Sequence, residues 1–218
     1  MPSKFIAVAG NIGVGKSSLV HYLTTQYGFK PFAEPNVDNP YLDDFYEDFA
    51  RWSFHSQIYF LTHKFRLHMD LSRTEGIVVQ DRTIYEDAEI FARILHDSKR
   101  MDKRDFKTYW ELYEIMRAEL PRPDLMIYLR CNLRAIKKRI KIRARPNEQA
   151  IPDDYLRRLN KAYDAWIESY DLSPVLLWQS DKMDYLTDLV DRIEFHKALQ
   201  EHLDVTPNGG ALPPQGNT

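Results

Sequence analysis

Apolar residues fall along this chain in two alternating patterns. Five short stretches are apolar almost throughout, as strands covered on both sheet faces are. They are Phe5–Ala9, Phe29–Ala33, Gly76–Gln80, Asp124–Arg130 and Val175–Leu177. Between them, apolar positions return at helical spacing. A helix opened at Ser17 should stop at Gly28, a glycine suited to the C-terminal cap. A short helix is predicted from Asn39 through Phe49, then a long one over Trp52–Leu71 with Trp52, Tyr59, Leu61, Phe65 and Met69 as its apolar stripe. Tyr85-Glu86-Asp87 leads into another, bearing Ile90, Phe91, Ala92, Ile94 and Leu95. Helices also follow over Lys103–Leu120, Leu133–Arg143, Pro152–Tyr170 and Tyr185–Leu203. This alternation predicts an α/β fold, a doubly wound five-stranded parallel sheet flanked by helices.

Composition narrows the picture. The 218 residues suffice for one α/β domain, expected over residues 1–205, and the Pro/Gly-rich stretch 206–218 reads as a disordered tail. A net charge of −2 supplies no basic field for nucleic acid or an anionic membrane, so neither is expected as a partner. The single cysteine, Cys131, cannot form a disulfide framework and fits a reducing compartment. The N-terminal apolar run is too short for a signal peptide or a membrane span, and the expected location is the cytoplasm.

Gly10-Asn11-Ile12-Gly13-Val14-Gly15-Lys16-Ser17 fits the phosphate-binding pattern G-x-x-x-x-G-K-[ST] at every fixed position. The glycines let backbone N–H groups turn inward around a polyphosphate, Lys16 reaches the outer phosphates, and the Ser17 hydroxyl is placed to hold Mg²⁺. A strand before the loop and a helix opening at Ser18 supply the right context. A glycine-rich turn without a ligand is the plainer alternative, and this context disfavours it. Glu34 ends the second strand and Asp81-Arg82 the third, where parallel sheets bind ligands. Gln57 and Lys64, two helical turns apart, form a polar pair that could be surface or could line a cleft. On the basic helix, Lys137, Lys138 and Lys141 suit a solvated face, whereas Arg139, Arg143 and Arg145 recur toward one side, as in an arginine-bearing lid over a polyphosphate.

Taken together, the loop, Glu34-Pro35, Trp52-Ser-Phe-His-Ser-Gln57, Asp81-Arg-Thr-Ile-Tyr-Glu-Asp87 and Arg139-x-x-x-Arg143-x-Arg145 resemble the deoxynucleoside kinases in order and spacing, from about Phe5 to Leu203. Asn39-Pro-Tyr-Leu and the Asp81–Asp87 segment are similar to bacterial deoxyadenosine kinases and their deoxycytidine/deoxyguanosine-phosphorylating relatives. Asp81-Arg82-Thr83 replaces the Glu-Arg-Ser of the animal enzymes, and Lys64 stands where many relatives carry Arg. The resemblance implies a P-loop NTPase-like fold. It implies that residues 10–18, from Gly10 to Ser18, hold ATP with Arg139, Arg143 and Arg145, and that Ser17 and Asp81 hold Mg²⁺. It makes Glu34 the base toward the 5′-hydroxyl, oriented by Arg82, with Lys16 completing the catalytic group. Tyr46 and Glu148 would hold the 3′-hydroxyl. Gln57, Lys64 and Asp87 would serve the base edge, and Phe91 its face.

The function expected is transfer of the γ-phosphate of ATP to the 5′-hydroxyl of a deoxynucleoside, deoxyadenosine first, by a homodimer. A nucleoside monophosphate kinase would need further cations for its acceptor phosphate. A silent nucleotide-binding subunit would not need Glu34. A GTPase-type switch would need a guanine-reading Asn-Lys-x-Asp, and the sequence has none.

Overall fold

Lys4–Ala9 forms β1, the central strand, and from Ile6 to Ala9 it has no exposed surface at all. The computed structural model describes residues 3–32, 39–145, 151–182 and 184–208. Within them, α1 (Lys16–Tyr27), β2 (Lys30–Phe32), α2 (Leu42–Glu47), α3 (Phe49–Ser72) and β3 (Ile77–Asp81) follow in turn. One helical run then comprises α4 (Ile84–Glu86), a π-helix (Asp87–Ala92) and α5 (Arg93–Asp97). The remaining elements are α6 (Lys103–Ala118), β4 (Leu125–Arg130), α7 (Leu133–Arg143), α8 (Asp153–Glu168), β5 (Val175–Gln179) and α9 (Leu189–Gln200). The strands pair in the order β2-β3-β1-β4-β5, every pair parallel. This is the expected five-stranded α/β sheet.

Side chains alternate across β1, and two cores result. Ile6 and Val8 pack with Leu19 and Leu23 of α1, Ile136 and Ile140 of α7, and Phe195 of α9. Phe5, Ala7 and Ala9 face the other way, onto Leu159 and Tyr163 of α8 and Ile90 of the π-helix. A third cluster joins α3 to α6 through Leu61, Tyr85, Tyr109 and Tyr113, all essentially buried. Burying a large apolar side chain contributes about 1.5–3 kcal/mol, so each such layer is a major source of stability. Among the described residues no helix is long and apolar enough to cross a membrane.

Several boundaries depart from the sequence expectation, each for a local reason. The long helix begins at Phe49 rather than Trp52, because the Asp48 carboxylate accepts the Arg51 N–H at 3.1 Å and caps it there. The last helix begins at Leu189 rather than Tyr185. The Asp188 carboxylate caps it through the N–H groups of Val190 and Asp191, while the Asp184 carboxylate holds Leu186 and Thr187 in a separate turn. The expected stripe on α3 is displaced. Its buried positions are Ser53, Ser56, Gln57, Leu61, Lys64, His68 and Leu71, and four members of the expected stripe, all but Leu61, are only half-buried. Of the expected tail, the Asn208 N–H donates to the Gln26 carbonyl at 2.5 Å, and residues 209–218 lie outside the described residues.

Candidate active site

β1 runs into a loop that only glycine can form at two points. Gly10 has φ 145°, and a Cβ there would sit 2.6 Å from the Leu129 carbonyl oxygen. At Gly13, φ is 76° and a Cβ would meet Ile140 Cγ1 at 2.8 Å. Gly15 then caps α1 with no side chain over its first N–H groups and no acidic residue in the first turn. Such a terminus is built to receive an anion. Val14 is buried, Ile12 half-buried, and Ser17 and Ser18 are exposed.

Lys16 is nearly buried, and its ammonium donates to the carbonyls of Gly10 (2.8 Å) and Asn11 (3.0 Å). Burial, and then the Arg82 guanidinium, push its pKa down to about 8, against the opposing pull of Asp81 and Glu86. Polyphosphate is therefore a better partner for this cation than the carbonyls it now rests on. Ser17 Oγ donates to Asp81 Oδ2 at 2.8 Å. A hydroxyl and a carboxylate oxygen side by side at a phosphate loop suit Mg²⁺, which takes few protein oxygens and fills its shell with phosphate and water.

Contacts with α8, α7 and the turn after β5 hold the loop. Asn11 Nδ2 donates to the Leu156 carbonyl at 2.9 Å and to Asn160 Oδ1, so α8 anchors the loop. Arg139 donates to the Val14 carbonyl at 2.7 Å, to Ser180 Oγ at 3.0 Å and to the Ser180 carbonyl. It thus ties the loop to the turn after β5. Arg143 and Arg145 lie exposed at the end of α7.

On the acceptor side, Arg82 takes a left-handed backbone (φ 55°) directly after β3. Its N–H donates to the Val8 carbonyl at 3.2 Å, its carbonyl accepts from Lys64 Nζ at 2.7 Å, and its guanidinium stands 4.5 Å over the Phe91 ring. Gln57, Lys64 and Asp87 are all buried, and Gln57 Oε1 has no hydrogen-bond partner among the described residues. Tyr46 is 47% exposed at the end of α2, its ring edge-on to Phe45 and Phe49. Glu34 and Glu148 lie outside the described residues. A cavity of about 430 Å³ opens at the ends of β4 and β5 beside the Arg130–Asp164 ion pair, and no expected site residue lines it.

One buried carboxylate at this site escaped the sequence reading. Glu86 has no exposed surface; Oε2 accepts the Thr83 N–H at 2.9 Å, and Oε1 accepts the Tyr163 hydroxyl at 2.9 Å and the Gly10 N–H at a longer 3.4 Å. Burial raises its pKa, opposed by Lys16 and Arg82. Thr83-x-x-Glu86 is a capping box, so its helix-start role was visible in the sequence, whereas its contact with the loop was not.

The site therefore joins an anion-receiving loop to a buried polar recess across the end of β3. The sequence profile of the family described as deoxynucleoside kinase matches residues 6–204. A deoxyadenosine/deoxycytidine kinase of Bacillus subtilis is 42% identical, over 85% of this chain and 87% of its own. A deoxyguanosine kinase of Lactobacillus acidophilus is 38% identical over 95% and 93%. Among solved structures, the deoxyadenosine kinase from M. mycoides with bound dATP superposes with a TM-score of 0.77 at 28% identity, over 90% of this chain and 98% of that one. With the match running through the phosphate loop, the helices that bury Gln57 and Lys64 and the strand end that carries Asp81, the chain belongs to the deoxynucleoside kinase family and is an ATP-dependent deoxynucleoside kinase.

Proposed function

We propose that deoxyadenosine is the preferred acceptor and that the reaction proceeds with Glu34 as base at the 5′-hydroxyl. The observation carrying the acceptor choice is the buried pair Gln57 and Asp87, from α3 and the π-helix, with Gln57 Oε1 lacking a protein partner among the described residues. An amide offers both a donor and an acceptor, whereas an ionised carboxylate only accepts. Adenine presents an amino donor beside a ring-nitrogen acceptor and satisfies both side chains. Cytosine presents a similar pair. Thymine would turn a carbonyl toward Asp87, leaving acceptors facing each other at a cost of about 1–3 kcal/mol. Relatives named for deoxyadenosine and deoxycytidine accord with a recess that reads an amino edge, and deoxyguanosine, whose base has a carbonyl there, should rank behind deoxyadenosine.

In the reaction, Glu34 takes the proton of the 5′-hydroxyl as that oxygen attacks the γ-phosphorus, and ADP leaves. Lys16 and the N-terminal amides of α1 hold the phosphates. Arg82, its guanidinium placed over Phe91, orients the acceptor side. Mg²⁺, held by Ser17 and Asp81, would neutralise phosphate charge. Arg143 and Arg145 would close from α7, and Tyr46 and Glu148 would hold the 3′-hydroxyl.

The test is kcat/KM for deoxyadenosine, deoxycytidine, deoxyguanosine and thymidine, in the wild type and in Asp87→Ala. Deoxyadenosine should lead and thymidine trail, and the variant should narrow that gap by roughly tenfold, the equivalent of about 1.4 kcal/mol. A wild type that prefers thymidine, or a ratio unmoved by Asp87→Ala, refutes the assignment.

A further inference from the structure

We infer that Glu86 is a positioning residue for the nucleotide: its carboxylate holds the first turn of the phosphate loop against the start of the acceptor-side helix, with Tyr163 as its brace from α8. Three segments meet on this one side chain. Gly10 begins the loop, Thr83 begins the helical run that carries Asp87 and Phe91, and Tyr163 belongs to α8, which also grips Asn11. The peptide groups around Gly10 are fixed from both ends, since Lys16 Nζ donates to its carbonyl while Glu86 accepts its N–H. The loop passes close against β4 here, since a Cβ on Gly10 would sit 2.6 Å from the Leu129 carbonyl oxygen. Set among buried groups, a carboxylate is costly unless its oxygens are satisfied, and here each oxygen has a donor.

The two oxygens have separable tasks. A capping box accepts Gln as readily as Glu at its third position. In Glu86→Gln the amide oxygen can therefore keep the Thr83 N–H, and the helix carrying Asp87 and Phe91 stays in place. The amide nitrogen then faces the Gly10 N–H and the Tyr163 hydroxyl. Tyrosine can rotate its proton away and accept, but the Gly10 N–H can only donate and loses its partner. The loop loosens and the acceptor recess does not.

The inference takes its probe from the ATP-dependent kinase assignment, and calorimetric titration separates the two. ATP with magnesium is titrated into the full-length wild type, Glu86→Gln and Tyr163→Phe, and deoxyadenosine into each without nucleotide. Glu86→Gln should raise the Kd for ATP at least tenfold, with the Kd for deoxyadenosine changed less than threefold. Tyr163→Phe, which removes only the brace, should shift ATP in the same direction by about threefold, and it carries the test if Glu86→Gln does not fold. Equal losses for both ligands would mark a merely structural residue, and unchanged ATP affinity an idle one. A tighter ATP complex would mean that the negative charge outweighs the hydrogen bonds. Each of these overturns the inference. A wild type that binds no ATP would instead overturn the kinase assignment.

Discussion

At Arg82 the backbone enters the left-handed region, which costs a residue with a side chain of the order of 1–2 kcal/mol. Its surroundings hold it there. The Val8 carbonyl accepts its N–H, the buried Lys64 ammonium donates to its carbonyl, and Phe91 lies beneath its guanidinium. The identity of Arg82 was legible as part of an acidic-basic pair at a strand end, but its conformation was not, because φ depends on partners 74 and 18 residues away. Glu34, the proposed base, lies outside the described residues. Replacing it by Gln preserves shape and removes basicity, so kcat should fall about 10²–10⁴-fold while KM for ATP changes little. A near-normal kcat in steady-state assays would exclude it as the base. His68 carries a different kind of prediction. It is fully buried, its Nε2 donates to the Pro121 carbonyl at 3.1 Å, and burial pushes its pKa down from 6.5 to about 4. The unfolded chain therefore binds a proton that the folded one refuses. This group leaves stability unaffected above about pH 6.5 and lowers it as pH falls toward 4, by up to about 3 kcal/mol. Urea midpoints at pH 7 and 4.5 should drop less in His68→Gln than in the wild type.

Among the elements, α1 and the loop before it followed from local rules. Glycines, a lysine and an uncapped helix start are short-range features, and Gly28 ends α1 as a left-handed cap. The helix after β3 was legible only in part. Asp87–Ala92 forms a π-helix, whose wider turn changes the phase of every residue beyond it. No local propensity distinguishes such a stretch from an ordinary helix. The face of α3 is a second case. Periodicity favoured its aromatic stripe as the buried side, yet Ser53, Gln57, Lys64 and His68 turn inward, where Lys64 reaches the Arg82 carbonyl after β3 and His68 the Pro121 carbonyl. At the loop, Gly10→Ala should be severe. Its Cβ would meet the backbone oxygen of Leu129, which cannot move aside as a flexible side chain could. Overpacking of this kind costs about 1–3 kcal/mol. Calorimetry should show a lowered Tm, and titration at least a tenfold weaker ATP complex. Normal ATP binding would mean the loop tolerates a Cβ at its first glycine.

For the whole molecule, the expected assembly is a C₂ homodimer on α3 and α6. Half-buried Phe54, Phe65, Trp110 and Met116 lie on these helices, and Ile115 is 67% exposed. Isologous pairing of such a surface is the commonest closed arrangement. Light scattering should give twice the chain mass at micromolar concentration, and Ile115→Glu should shift it toward the monomer; a wild-type monomer throughout that range rules the dimer out. The alternation of strands and helices, the phosphate loop and the acid-bearing end of β3 could all be read from residue order. They rest on short-range physics, namely apolar period, glycine freedom and the few side chains able to grip phosphate. Tertiary structure alone decided the strand order, the inward turn of α3's polar face and the post of Arg139 on Val14 and Ser180. It also brought Glu86 to Gly10 across 76 positions of sequence. Such contacts join groups far apart in the chain, and their partners exist only once the sheet and helices have packed.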